Sequence, residues 1–252
     1  MLCSPPSPTE ALPRCAMDGS AQGRLCSGMR QLLVADCAQL VNQSFLEEQI
    51  CAVGLADLKE RSPGVYGPAT LRCIVAEGGL AQQPEQLASA LVHLSRLRIR
   101  SYLELGIFSG FTSTLISTYL RRFAPPSSQF HGLAVDVTLQ YLSRETRALL
   151  HHNSVTAELR RRPLHLAAAS RHEHLDLCFI DGDHHARGVL DDFIEFAPSC
   201  RLCMFHGALP GLGSPGLWLG GQRCRVQGAD HRVQAVVLDR LTLTLTLTRR
   251  HC

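Results

Sequence analysis

The stretch Tyr102-Leu-Glu-Leu-Gly106-Ile-Phe-Ser-Gly110-Phe-Thr112 decides the fold. The apolar run Ile99 to Leu105 reads as a buried strand that ends at Gly106, and Leu115, Ile116, Tyr119 and Leu120 then recur at helical spacing. A glycine-containing turn between strand and helix lets a ligand approach the backbone, and the helix start offers free N–H groups. The spacing is Gly-x-x-x-Gly, unlike the Gly-x-Gly-x-x-Gly of dinucleotide folds. An acid two residues before the first glycine, Glu104, suits a ligand with a cationic amino group better than a pyrophosphate.

Outward from this stretch, strands and helices alternate. Leu87, Leu91 and Leu94 form a helix stripe, with Pro84 in its first turn. Gly132 to Val137 reads as the second strand, Leu164 to Ala169 as the third, Leu175 to Ile180 as the fourth and Leu202 to Phe205 as the fifth. A helix over Tyr141 to Leu150 and another carrying Val189, Leu190, Phe193 and Ile194 lie between them. In the tail, Val233 to Leu238 and the alternating Leu241 to Thr248 predict an antiparallel strand pair. Such alternation implies a parallel sheet with helices on both faces, its ligand at the carboxyl ends of the strands.

Residues 1–28, rich in Pro, Ser, Gly and Ala, read as a disordered leader, with an organellar transit peptide as the alternative. Residues 29–81 read as a helical extension whose two amphipathic helices pack on the main domain, residues 82–252. A net charge of +3 gives no sign of a nucleic-acid partner, and no apolar run approaches the ~20 residues of a membrane span. Eleven cysteines without zinc-finger spacing predict free thiols in a reducing, cytoplasmic compartment; Cys200 and Cys203 read as core residues.

The second strand ends in Asp136, an acid able to accept both hydroxyls of a ribose. Beyond the fourth strand comes Phe179-Ile-Asp181-Gly-Asp183-His184-His185, with two acids bracketing a glycine ahead of an amphipathic helix. Asp181 and Asp183 can offer the carboxylate oxygens that hard cations prefer, or can cap the helix that follows.

Together these motifs resemble those of class I S-adenosylmethionine-dependent methyltransferases, in the branch of small-molecule O-methyltransferases with a Phe-Ile-Asp-Gly-Asp-His segment. The resemblance spans roughly Gln82 to Arg249 and implies a Rossmann-like, seven-stranded α/β sheet. It implies that Glu104, Gly106, Gly110 and Asp136 bind S-adenosyl-L-methionine, Glu104 lying near the methionine moiety. It also implies a divalent cation, magnesium or manganese, at Asp181, Asp183 and His206, and catalytic roles for Asp181, His184 and His206. The fifth strand departs from the pattern: Met204-Phe205-His206-Gly207 has glycine where relatives place a carboxylate. Pro215-Gly-Leu-Trp218 resembles the segment that follows in those relatives. The implied reaction is methyl transfer to a small-molecule acceptor, at oxygen, and a homodimer is compatible with this reading. The alternative is an inactive methyltransferase-like domain that serves as a cofactor-binding or interaction module.

Overall fold

The Ser20 hydroxyl accepts the Gly23 N–H at 3.1 Å and so starts helix α1, Ala21–Val34. The computed structural model describes residues 3–5, 12–13, 15, 18–56, 68–124, 129–159, 175–183, 186–196, 199–207 and 216–220. Leu25, Cys26, Met29 and Leu32 on α1 are buried, so the boundary expected at residue 28 falls inside a core helix. The small and polar residues around Ser20 hide this helix start in the sequence. Two more helices follow. An Asp36–Gln39 capping box begins α2, Cys37–Leu40, and the Asn42 side chain caps α3, Gln43–Val53. Strand β1, Leu55–Ala56, then pairs in parallel with β2, Ile74–Val75, across the short helix α4, Pro68–Leu71.

Cysteines tie this region together. Cys3–Cys37, Cys15–Cys26 and Cys51–Cys73 are disulfides, and a fourth, Cys178–Cys200, lies in the sheet. The expectation of free thiols is therefore corrected: among the described residues only Cys203, which is buried, is free. Partners 11 to 34 residues apart meet only once the helices have packed, so no sequence spacing announces them.

The sheet begins after helix α5, Pro84–Leu94, whose proline sits in the first turn. Strand β3, Ser101–Leu105, leads into helix α6, Phe111–Phe123. Then come β4, His131–Asp136; α7, Arg144–His152; β5, Val155–Leu159; and β6, Leu175–Ile180. Helix α8, Ala186–Phe196, strand β7, Cys200–Gly207, and strand β8, Gly216–Gly220, complete the described elements. The strand order is β5-β4-β3-β6-β7-β8, and every neighbour is parallel except β8, which runs antiparallel to β7. The fold is thus of the α/β class, a mostly parallel sheet among helices.

Residues of β3 and β6 alternate between two cores. Tyr102, Leu177 and Phe179 pack with α1, α3, α5 and α6, while Leu103, Leu105, Cys178 and Ile180 pack with Phe196 of α8. The N-terminal helices therefore share one core with the sheet. Expected and observed strands differ in two places. The third strand of the sheet is β5, whose five residues are buried only at Val155, so it lacks the apolar run that marks an interior strand. The expected strand at 164–169 and the tail pair at 233–238 and 241–248 lie outside the described residues. The antiparallel neighbour of β7 is β8, whose glycines at either end disguise a short strand.

Candidate functional site

The chain crosses from one half of the sheet to the other between β3 and β6, the position where ligands gather in such folds. Gly106 sits there with φ +86°, its N–H bonded to the Val135 carbonyl at 2.7 Å. A Cβ added to it would lie 2.4 Å from the Asp181 carbonyl oxygen and from the Gly182 Cα. Gly110, at φ +77°, would carry a Cβ 2.6 Å from Leu142 Cδ1 and 2.9 Å from Thr146 Cγ2. Both glycines are thus needed by the protein's own packing: one joins the ends of β3 and β6, the other seats α6 against α7.

Asp136, at the end of β4, accepts the Phe108 N–H at 2.9 Å and the Thr138 N–H at 3.0 Å. It thereby ties its strand end to the glycine turn. Phe108 takes the left-handed φ of +44°, and its ring lies 4.9 Å from that of Tyr141. Phe108, Tyr141 and Val137 leave at least half of their surface exposed, an apolar rim beside Asp136.

Glu104 is buried, and its carboxylate accepts the Tyr102 hydroxyl. Burial pushes its carboxyl up to about 8. Hydroxyls of Ser113 and Tyr102 offset part of that rise, and the charges of Asp181 and Asp136 add to it. The carboxyls at the ends of β4 and β6 therefore act on the one at the end of β3. Such a cluster favours a cationic guest.

Asp181 follows β6 and meets His206 of β7, whose Nδ1 lies 2.7 Å from Asp181 Oδ1. Both side chains are about nine-tenths buried. The other oxygen, Oδ2, accepts the Gln82 Nε2–H at 2.6 Å, and the Thr112 hydroxyl donates to Gln82 Oε1. Sequence reasoning finds neither Gln82 nor Thr112. A glutamine just ahead of a helix-starting proline reads as loop, and nothing in its spacing signals a bond to a residue 99 positions away.

Each oxygen of Asp181 has a neighbour within hydrogen-bond distance, the Gln82 amide at Oδ2 and the His206 imidazole at Oδ1. Asp183 is exposed and turned toward the first turn of α8: a Cβ on Gly188 would meet its carboxylate at 2.2 Å. Position 207 pairs with Gly216 of β8 and contributes no side-chain oxygen. Among the described residues no three His, Cys, Asp or Glu side chains could hold a metal ion. His184 lies outside the described residues.

Residues 103–202 match the family model of a methyltransferase domain, about two fifths of the chain. The match takes in the glycine turn, Asp136 and Asp181 and stops short of His206. No curated protein sequence matches. Among solved structures, the chain is similar to the O-methyltransferase TomG of Streptomyces achromogenes, involved in tomaymycin synthesis and solved with S-adenosylmethionine. The identity is 15%, the coverage 50% of this chain and 56% of that one, and the TM-score 0.37. It is also similar to an O-methyltransferase of Bacillus cereus bound to S-adenosylhomocysteine, at 12% identity, 74% coverage of each chain and a TM-score of 0.39. The chain spans little more than half the length of several structures it resembles.

Proposed function

We propose that the chain is an S-adenosylmethionine-dependent methyltransferase acting on a small-molecule hydroxyl, with His206 as the base. The observation that carries this reading is the His206–Asp181 pair, 2.7 Å apart, beside the glycine turn where the topology reverses. A carboxylate only accepts hydrogen bonds, so it draws the imidazole proton to Nδ1 and leaves the Nε2 lone pair to take a proton from an acceptor hydroxyl. Asp181 is then a positioning residue, and His206 is the proton acceptor.

When bound, S-adenosylmethionine supplies a methyl group on a cationic sulfonium, together with an ammonium and a ribose. The residues present fit such a guest. Asp136 is half-exposed at the strand end, where it can accept ribose hydroxyls in addition to its two backbone bonds. Phe108, Tyr141 and Val137 offer apolar surface to a base. The buried Glu104 gains most from a positive charge brought near it.

The test has two stages. Calorimetry should show S-adenosylmethionine and S-adenosylhomocysteine binding to the wild type, with no gain on adding magnesium or manganese. Asp136→Ala should weaken that binding about ten- to hundredfold, the loss of a charge-assisted hydrogen bond of ~1.5–3 kcal/mol. In transfer assays over a panel of phenols and alcohols, His206→Ala should lower kcat about 10²–10⁴-fold while cofactor affinity holds. Unchanged affinity in the Asp136 variant would remove the ribose assignment, and unchanged kcat in the His206 variant would remove the base.

A further inference from the structure

The assignment of His206 as base, on which this inference rests, leaves a buried amide unexplained. We propose that Gln82 is a positioning residue for that base, fixing Asp181 and, through Asp181, the tautomer of His206. Gln82 is fully buried and enters the site from the segment ahead of α5, whose start is held by Pro84. Its amide has one workable orientation. Turned the other way, Oε1 would face the Asp181 carboxylate at 2.6 Å, an acceptor against an acceptor. With Nε2 given to Asp181, Oε1 must be served by a donor, and the Thr112 hydroxyl at the start of α6 is placed to donate.

The chain of bonds runs Thr112 to Gln82 to Asp181 to His206. Its effect is directional. With Oδ2 pinned by the amide, the carboxylate plane is fixed and Oδ1 stays aimed at Nδ1. A buried carboxylate that loses a donor turns to find another, and the imidazole then loses the partner that selects its tautomer. The segment before the matched methyltransferase domain thus contributes to the geometry of the base.

The test reads the tautomer directly. Protein labelled with ¹⁵N-histidine is examined by long-range proton–nitrogen spectra at pH 8, where an ordinary imidazole is neutral. The His206 signals are assigned by their loss in His206→Gln. The wild type should show a proton on Nδ1 and a lone pair on Nε2. Gln82→Leu should lower the ratio of the Nδ1–H to the Nε2–H form at least tenfold. Thr112→Val should shift it in the same direction by less, since the amide loses only its orienting donor. Should Gln82→Leu fail to fold, the Thr112→Val spectrum decides alone. A lower melting temperature with an unchanged tautomer would mean that Gln82 only packs, and would overturn the proposal; so would an Nε2–H wild type. Calorimetry with S-adenosylmethionine is run on the same samples. A wild type that binds none would remove the methyl-transfer reading, whereas the tautomer result stands on its own.

Discussion

The N-terminal helices and the carboxyl edge of the sheet use buried polar groups in opposite ways. Around α1, they complete hydrogen bonds that the backbone cannot make for itself. Arg122 of α6 is 3% exposed, and its guanidinium donates to the carbonyls of Leu32, Leu33 and Ala35 at the end of α1 and to that of Ser4. Those at the helix end are carbonyls that a helix leaves unpaired. On the other face of α6 the Asn153 amide is bonded to the Thr114 carbonyl and to the hydroxyls of Ser117 and Thr118, joining α7 to α6. At the sheet edge, burial works against the charged form of Glu104, and the charges of Asp181 and Asp136 add to that penalty. The first region is built for stability. The second holds unfavourable electrostatics that a cationic guest would relieve.

The contrast can be broken from the stable side first. Three disulfides close loops of 11 to 34 residues in the N-terminal region. Each should contribute roughly 3 kcal/mol through the entropy of the unfolded chain. Reduction should therefore lower the melting temperature more than the loss of any single side chain, and open α1–α3 to protease. A reduced protein that melts where the oxidised one does would show that the helices hold without their cross-links.

Arg122→Met comes next. It keeps the apolar stem but leaves the carbonyls at the end of α1 without their donor, at a cost of about 3–5 kcal/mol. Urea unfolding should show this loss, and S-adenosylmethionine affinity measured under native conditions should not change. A matching loss of affinity would mean that the two regions are coupled rather than independent.

The sequence exposes these regions unequally. Strand β6 is legible at both ends because Leu175 to Ile180 is a fully buried run bounded by polar residues. The glycine turn is legible because its acid and two glycines share a short stretch. The start of helix α1 is hidden because Ser20 and its neighbours look like loop, and β5 is hidden because an edge strand keeps polar residues. In the site, Asp136, Asp181 and His206 are marked by their places at strand ends. Gln82 and Thr112 are not, since their roles arise from a meeting of α5, α6 and β6 that no local pattern encodes. Gly106 and Gly110 stand out as room for a ligand, yet the structure requires them for packing against Asp181 and α7.

The smallest effect probes the strain at the sheet edge itself. Glu104 is pushed from 4.5 to about 8 in the folded chain. Below pH 4.5 it is protonated in both states and costs nothing. As pH rises from about 4.5 to about 8, the unfolded chain ionises this group while the folded one keeps its proton. The unfolded state then binds fewer protons, and stability falls with pH. Above pH 8 both states are ionised, the slope vanishes and the penalty is complete. Comparing wild type with Glu104→Gln isolates this group from other titrating residues. Between pH 6 and pH 8, urea unfolding should show the wild type losing ~2 kcal/mol relative to the variant. Saturating S-adenosylmethionine should reduce that difference, because a cation beside Glu104 lowers its pKa toward the unfolded value. The same coupling predicts proton release on binding at pH 7, which fades above pH 8 and is absent in Glu104→Gln. Parallel stability profiles for wild type and variant would mean that Glu104 is ionised throughout, and that the sheet edge holds no such strain.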